Sequence, residues 1–265
     1  MSRQGPVRIG IAGALGRMGG AVIKEVALRS DFTLAALFDR PECKGTGLGD
    51  HTLTDATHAL TLCDVIIDFS SGGASAELAH LAADGGGPAL IIGSTGFSLS
   101  ETATVLAASE RIAIVKSGNF SIGVAVLAAL VEQIARRLGA KDWDIEIFEA
   151  HHKRKRDAPS GTALALGEAA ASGRDVKLAD VEVGPRAGAA HVERRPGDIG
   201  FSVMRGGEIV GEHSVVFAGD GEILTLSHSA RDRRIFALGA LQAAAWIVDQ
   251  RPGLYAMTDV LELGD

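Results

Sequence analysis

Residues 7–19 read VRIGIAGALGRMG, and this stretch indicates the fold class of the first half of the chain. Its first six residues give a short apolar strand, and the pattern G-x-x-G-x-x-G, from Gly13 to Gly19, follows at once and opens a helix. Glycine allows the tight turn, and the backbone N–H groups at a helix start attract anions. The stretch therefore predicts a Rossmann-type turn that holds the pyrophosphate of a dinucleotide.

The end of the second apolar run bears on which dinucleotide fits. Asp39 follows the run 34–38 and lies 20 residues after Gly19, where this fold places an acid that accepts from a ribose hydroxyl. Arg40 comes next and Arg17 lies in the turn, and either guanidinium can pair with a 2′-phosphate. The three side chains predict a site for both NADH and NADPH, and a solvated strand-end charge is the alternative for Arg40.

The rest of the first half continues the same alternation of strands and helices. Further apolar runs lie at 65–69, 89–92 and 112–115, separated by helical patterns at 74–83 and 101–109. Short apolar strands between helices predict a buried parallel sheet over residues 1 to about 120.

Two later strand ends carry loops typical of ligand sites. Gly93-Ser94-Thr95-Gly96-Phe97 follows one strand, and Ser117-Gly118-Asn119-Phe120 follows the next. Ligands of open α/β sheets bind at the carboxyl ends of strands, so both loops are expected to face the nicotinamide. Ordinary turn chemistry explains either loop alone equally well.

The second half shows a different pattern. A long apolar helix is predicted at 122–138, followed by an alternating strand that begins at Trp143. Three more strand patterns, at 199–204, 209–217 and 223–229, are joined by short glycine-bearing turns and predict an antiparallel meander. A last helix is expected at 233–248, and residues 174–196 are predicted to be a loop-rich connection. The fold class predicted is α/β, with a Rossmann domain and an α+β domain whose sheet is mainly antiparallel.

Composition excludes several classes of protein. The chain has 265 residues and a formal net charge of −7, which disfavours binding to nucleic acid or anionic lipid. The two cysteines, Cys43 and Cys63, have no spacing that suits a zinc site, and two reduced thiols suit the cytosol. The longest apolar run is too short to span a membrane, and no signal-peptide core is present. We expect a cytoplasmic protein without a metal site, nucleic-acid partner or membrane partner.

The densest chemistry lies at residues 149–162, which read EAHHKRKRDAPSGT. Ser160 can cap the helix that follows, so that the Ser-Gly-Thr run offers backbone N–H groups to an anion, and Lys155 can add a charge. A histidine can deliver a proton near neutral pH. The segment predicts a site for a carboxylate substrate that gains a proton, against the alternatives of a solvated basic loop or a nucleic-acid patch.

The segment Glu-Ala-His-His-x-x-Lys-x-Asp-Ala-Pro-Ser-Gly-Thr-Ala resembles the signature of the 4-hydroxy-tetrahydrodipicolinate reductases, also called dihydrodipicolinate reductases. Other matches occur in the family's order along essentially the whole chain: Gly-Arg-Met-Gly, Gly-Ser-Thr-Gly-Phe, Asn119-Phe120-Ser121-x-Gly123, Ile199-Gly200-Phe201 and Gly211-Glu212-His213. The family works in lysine and diaminopimelate biosynthesis.

The resemblance implies a domain organisation and residue roles. It implies a dinucleotide-binding Rossmann domain over 1–121 and 231–265, and between them a substrate-binding and tetramerisation domain over 122–230 of a homotetramer. It implies that His151 and Lys155 are catalytic. A small dicarboxylate substrate is expected at His152, Ser160, Gly161 and Thr162. Cofactor contacts to NADH or NADPH are implied at Gly13, Ala14, Leu15, Gly16, Arg17, Met18, Asp39, Arg40, Gly93, Ser94, Thr95, Ser117, Gly118, Asn119 and Phe120.

The sequence departs from the family pattern in the cofactor loops and leaves several choices open. Ser94 stands where threonine is common, and Lys116 and Gly118 vary their loop. Either His151 or Lys155 can supply the proton, and the hydroxylated and dehydrated substrates are not distinguished. A different NAD(P) oxidoreductase acting on an amino-acid-derived acid would leave the Lys-x-Asp-x-Pro-Ser-Gly-Thr run unexplained. A redox sensor that binds NAD(P)H without turnover would not need the two catalytic residues.

Overall fold

The computed structural model describes residues 5–184 and 193–263. The chain divides into two compact units: unit 1 is Met1–Ile122 with Arg233–Asp265, and unit 2 is Gly123–Asp232. The resemblance placed the corresponding boundaries at 121 and 230. No helix among the described residues is long and apolar enough to cross a membrane.

Unit 1 is built around a parallel sheet. The strands of this sheet are β1 (Val7–Ala12), β2 (Phe32–Phe38), β5 (Val65–Asp68), β6 (Ala89–Ile92), β7 (Ala113–Lys116) and, late in the chain, β13 (Gly253–Tyr255). The short strands β3 (Gly47–Leu48) and β4 (His51–Thr52) form a separate antiparallel pair. Its helices are α1 (Arg17–Val26), α2 (Ala56–Leu62), α3 (Gly72–Gly85), α4 (Leu99–Ser109), α8 (Arg234–Ile247) and α9 (Met257–Val260).

The order of strands in this sheet is β13-β7-β6-β5-β1-β2, and each neighbouring pair is parallel. The central strands are fully buried because their apolar side chains, such as Ile66 and Ile91, are covered on both faces of the sheet. The predicted parallel sheet is confirmed. The chain first adds β2 on one side of β1 and later β5 on the other, so the carboxyl ends of β1 and β5 flank the switch point where such sheets bind ligands.

Unit 2 packs helices against one face of a second sheet. It contains α5 (Ile122–Arg137), which begins at the unit boundary, then β8 (Asp144–His151), α6 (Gly161–Gly173), α7 (Leu178–Val181), β9 (Glu182–Val183), β10 (Ile199–Arg205), β11 (Gly211–Ala218) and β12 (Ile223–Ala230). Its core joins strand residues such as Ile145, Phe201 and Phe217 to helix residues such as Val131 and Leu166. The alternation predicted for β8 is confirmed, since Ile145 and Ile147 are fully buried and alternate with the half-buried acids Asp144 and Glu146.

The predicted antiparallel meander is correct for its last two strands, since β11 and β12 pair antiparallel, but it is wrong for β10, and the sheet is mixed and not mainly antiparallel. The sheet order is β12-β11-β8-β10-β9, so β8 separates β10 from β11, and β10 runs parallel to both β8 and β9. The glycine-bearing connection after Arg205 resembles a hairpin turn in sequence, but it passes over the carboxyl end of β8 instead. Backbone bonds hold it there: Gly206 N–H donates to His151 O at 2.9 Å, and Lys153 N–H donates to Gly207 O at 3.3 Å.

The predicted loop at 174–196 also contains regular structure. Helix α7 and the short strand β9 lie within it, and β9 pairs with the start of β10. Residues 185–192 of that prediction lie outside the described residues.

Candidate active site

The glycine turn after β1 adopts the predicted strand–turn–helix form. Gly13 has a φ of 71°, in the left-handed region that favours glycine. Gly19 allows α1 to pack directly on the turn, because a Cβ at this position would lie only 2.3 Å from the carbonyl oxygen of Gly13. The two end glycines of the motif are therefore required by a backbone conformation and by a backbone contact.

Asp39 lies beside this turn. Its Oδ2 accepts a hydrogen bond from the backbone N–H of Leu15 at 3.0 Å, and its side chain is 13% exposed. Arg40 is 74% exposed and lies 3.5 Å from Glu42. The turn itself is open, since Leu15, Gly16 and Arg17 are exposed. The N–H groups of Ala14, Leu15 and Gly16 donate within the protein, which leaves the exposed start of α1 to meet an anion. A tight glycine turn with this helix start and an acid at the end of β2 fits a dinucleotide.

Ser94 and Thr95 of the first loop and Ser117 and Gly118 of the second line one cavity of about 650 Å³ in unit 1, and Gly93 precedes them at the end of β6. Lys116, noted from the sequence as a variant position of the second loop, and Tyr255, which the sequence did not suggest, also line it. Gly93 is needed here because a Cβ would lie 2.2 Å from the ring of Phe69, whereas Gly118 faces open space apart from a contact at 3.9 Å.

The end of the second loop contributes packing. Phe120 is 1% exposed and meets Phe69 edge to face, with centroids 5.8 Å apart. The carbonyl oxygen of Asn119 accepts from the Ser117 hydroxyl at 2.7 Å, which closes the loop. The Phe120 side chain is thus part of the core and contributes no open surface.

A buried polar chain supports the first loop and was missed from the sequence. Asp68 ends β5 and is fully buried, which raises the pKa of its carboxyl group. Its Oδ2 accepts from the hydroxyl of Ser75 at 2.5 Å, and that hydroxyl also contacts the hydroxyl of Ser94. The available signal was an acid at the end of an otherwise apolar strand, where a buried strand rarely places one.

In unit 2, β8 carries Glu149 and His151 on the same face, two residues apart. The Nδ1 atom of His151 lies 2.6 Å from Oε2 of Glu149, and the residues are 8% and 0% exposed. His152 follows as a half-buried residue at the strand end. Lys155 lies in the next turn, with its Nζ 2.7 Å from Oδ2 of Asp157. His151 and Lys155 therefore each have a carboxylate partner within the motif.

Glu149 is surrounded by hydrogen-bond donors. The Arg205 guanidinium donates to both of its oxygens at 2.7 Å, and the backbone N–H of Ser160 donates to Oε1 at 2.9 Å. Burial alone would raise the pKa of this carboxyl group, but the hydrogen bonds from Arg205, His151 and Ser160 outweigh burial and hold the pKa below its usual value. Glu149 is a buried carboxylate at neutral pH.

Ser160 caps α6 as predicted, since its hydroxyl accepts from the N–H of Ala163 at 3.1 Å. One part of the anion-site prediction is wrong, because the N–H of Ser160 is bound to Glu149 and is not offered to a ligand. Gly161 and Thr162 form the first turn of the helix, where the positive end of the helix dipole lies.

His213 completes the buried cluster. Register places it opposite Glu149, its Nε2 lies 3.2 Å from the hydroxyl of Ser160, and its ring meets that of His151 edge to face. Burial and the nearby His151 lower its pKa to about 4. The sequence indicates the Gly-Glu-His motif but assigns it no role. That role depends on the strand order, because β11 pairs with β8 although the two strands are far apart in the chain.

A parallel sheet with a dinucleotide turn, together with a histidine–carboxylate pair beside a helix start, defines a pyridine-nucleotide-dependent oxidoreductase. Comparison with protein families gives the particular family. The model of the dihydrodipicolinate reductase N-terminus matches residues 7–120, and that of the dihydrodipicolinate reductase C-terminus matches residues 123–261. The chain belongs to the dihydrodipicolinate reductase family.

Individual relatives agree with this assignment. A 4-hydroxy-tetrahydrodipicolinate reductase of Caulobacter vibrioides is 56% identical over 256 residues, which cover 97% of each chain. Another, from Rhizobium rhizogenes, is 47% identical over 269 residues, again covering 97% of each chain. A dipicolinate-bound dihydrodipicolinate reductase from Paenisporosarcina sp. TG-14 shares the fold, with a TM-score of 0.77 at 21% identity, covering 96% of this chain and 98% of that one.

Proposed function

We propose that this chain reduces 4-hydroxy-tetrahydrodipicolinate to tetrahydrodipicolinate with NADH or NADPH, in lysine and diaminopimelate biosynthesis. The observation that carries the proposal is the buried pair of His151 and Glu149 at 2.6 Å, set beside the Ser160 helix cap. This pair gives a proton donor a fixed orientation beside the positive end of a helix. The proposal is consistent with family membership and with relatives at 56% and 47% identity.

Unit 1 holds the cofactor in this proposal. The start of α1, at Arg17 and Met18 of the Gly13–Met18 turn, binds the pyrophosphate, and Asp39 accepts from a ribose hydroxyl. The cavity lined by Ser94, Thr95 and Ser117 receives the nicotinamide end. When bound, the cofactor supplies the hydride that adds to C4 of the substrate ring.

Unit 2 holds the substrate and delivers the proton. Two carboxylates of the substrate are bound by Lys155 and His152 and by the first turn of α6, at Gly161 and Thr162. Ser160 shapes this turn through its cap and does not offer its own N–H. The solved structure of the Paenisporosarcina reductase contains dipicolinate, a ring with two carboxylates, which supports a substrate of this class.

His151 is the proposed general acid, and Lys155 neutralises a substrate carboxylate. With Nδ1 on Glu149, the Nε2 atom of His151 is the one that gives the proton to the ring. Water leaves the hydroxylated substrate before or as the ring is reduced. Lys155 is a less suitable donor because its ammonium group already pairs with Asp157.

The homotetramer and the cytoplasmic location are also proposals. The outer face of the unit 2 sheet exposes large apolar side chains, among them Phe148 at 39%, Met204 at 48% and Ile223 at 69%. Exposed apolar surface of this kind marks interaction sites. Light scattering of the purified protein tests the assembly, and a monomeric mass for wild type would contradict it.

The function is tested by oxidation of NADH and NADPH, followed by absorbance, with substrate made in situ from pyruvate and aspartate semialdehyde by the upstream synthase. Turnover supports the reductase and ranks the two cofactors. Tight NAD(P)H binding without turnover would contradict the proposal and favour a non-catalytic sensor.

A further inference from the structure

We infer that Glu149, locked in place by Arg205, is a positioning residue that fixes one tautomer of His151 and aims its Nε2 atom at the substrate. The inference deepens the proposed function and rests on it for the identity of the reaction. The tautomer itself is a property of the protein alone and is measured without substrate.

The carboxylate of Glu149 has little freedom to rotate. Oε1 accepts from Ser160 N–H and from one Arg205 nitrogen, and Oε2 accepts from His151 and from the other Arg205 nitrogen, over distances of 2.6 to 2.9 Å. These donors come from β8, from β10 and from the start of α6. A carboxylate held from three elements is a rigid acceptor.

A carboxylate accepts hydrogen bonds and does not donate them, so its partner at Nδ1 of His151 must carry the proton. The neutral ring then has its lone pair on Nε2, and the protonated ring has its transferable proton there. Glu149 thus determines which ring nitrogen takes part in chemistry. Arg205 offsets the charge of Glu149, so the pair orients the ring without placing a net negative charge beside a dianionic substrate.

The surroundings of Nε2 agree with this assignment. Gly211 lies beside that atom, since a Cβ at this position would lie 3.1 Å from Nε2, tighter than most real contacts. Glycine inside a strand often marks a point of close approach. Gly211 therefore leaves room at the one nitrogen that Glu149 does not occupy.

The same bonds have a purely structural interpretation, in which Glu149 and Arg205 only tie two strands to a helix. That interpretation predicts lower stability for any variant, with no particular dependence on His151. The two are separated by measurements on the ring and by a double-mutant cycle.

The first experiment records nitrogen-15 NMR of histidine-labelled wild type, with His151→Gln to assign the ring signals. We expect the neutral ring of His151 to carry its proton on Nδ1, and Glu149→Gln to shift the population toward Nε2–H. A wild-type ring with its proton on Nε2 would overturn the inference, whatever the enzyme's activity. A lack of turnover in wild type would instead contradict the proposed function and leave the tautomer result intact.

The second experiment is kinetic. Glu149→Gln is expected to lower kcat by at least about 10-fold while the KM of the substrate and the Kd of NADH stay within about twofold, since a wrong tautomer costs up to roughly 10⁴ in a catalytic triad. In the His151→Gln background, Glu149→Gln should change kcat by less than about twofold. An equal loss in both backgrounds would show a role independent of His151 and would overturn the inference.

Two further variants guard against misfolding. Glu149→Gln combined with Arg205→Met leaves no buried charge unpaired, which favours folding, and should reproduce the loss in kcat. Glu208→Gln is the matched control, because it removes a carboxylate that is 69% exposed and pairs with Arg154. Its kcat should match wild type, and a loss equal to that of Glu149→Gln would count against a specific role.

Discussion

The rings of His151 and His213 meet edge to face with their centroids 5.1 Å apart and their planes inclined by 72°. His151 lies on β8 and His213 on β11. Glu149, which is also on β8, is the residue paired in register with His213. Burial and the nearby His151 lower the pKa of His213 to about 4, so the His213 ring is neutral at pH 7.

Stability should therefore fall in weak acid because of His213. The unfolded chain binds a proton at this ring near the ordinary pKa of 6.5, whereas the folded chain does so only near pH 4. Between these values unfolding takes up a proton, so this group lowers the free energy of unfolding by up to about 1.4 kcal/mol for each pH unit lost. His213→Gln should flatten this part of the dependence, measured by urea unfolding from pH 7 to 4.5. An unchanged slope in the variant would contradict the neutral state of His213.

Replacement of His151 should abolish most turnover and leave binding intact. His151→Gln is expected to lose about 10²–10⁴ in kcat, the usual value of general acid catalysis, with NADH affinity unchanged by fluorescence titration. His152→Gln is the matched control, because the adjacent ring is proposed to bind a carboxylate and should mainly raise KM. The opposite pattern would assign the proton donor to His152.

Lys155 should affect substrate binding more than the chemical step. Lys155→Met removes a charge-assisted contact worth roughly 1.5–3 kcal/mol, so KM should rise by about 10- to 100-fold. Asp157→Asn frees the ammonium group from its 2.7 Å partner and should leave KM within about threefold of wild type. Steady-state kinetics in which Lys155→Met lowers only kcat would instead make Lys155 the acid.

The glycine turn offers a matched pair of substitutions on one helix. Gly19→Ala should destabilise unit 1 by at least about 1–3 kcal/mol and weaken NADH binding, because its Cβ would lie 2.3 Å from a backbone oxygen that cannot move aside easily. At Gly20 a Cβ meets nothing within 4 Å, so Gly20→Ala should be neutral or stabilise the helix by up to about 1 kcal/mol. Equal Tm values for the two variants would contradict the packing described for the turn.

Local patterns in the sequence were sufficient for the elements and for much of the site. The strand–turn–helix of 7–19 and the cap at Ser160 depend on neighbours in the chain, and both are confirmed. The order of strands in unit 2 is not determined by residues close in sequence, so the turn after Arg205 was wrongly predicted to be a hairpin. The roles of Glu149 and His213 depended on that order, because Arg205 and His213 approach β8 from opposite sides.

The residues of the cofactor site likewise divide into those that local sequence spacing indicates and those that only tertiary contacts bring to the site. Asp39 was found because its distance from the glycine turn is set by one strand–helix–strand unit. Tyr255 was missed because β13, which pairs with β7, is a strand of three residues with no periodic signal. Contacts between segments far apart in the chain require the tertiary fold.

The discontinuity of unit 1 has a consequence for its biosynthesis. Strand β13 pairs with β7, and Gly239 of α8 fits against the carbonyl of Phe120. Both α8 and β13 are translated after the whole of unit 2. While the nascent chain ends before residue 233, β7 is an open edge and the apolar surface that α8 covers is bare. All strands of unit 2 are therefore translated before β13, the last strand of unit 1, although translation of unit 2 begins later. Ribosome-bound chains should therefore acquire protease resistance in the reverse of the usual order, in which domains fold as they emerge.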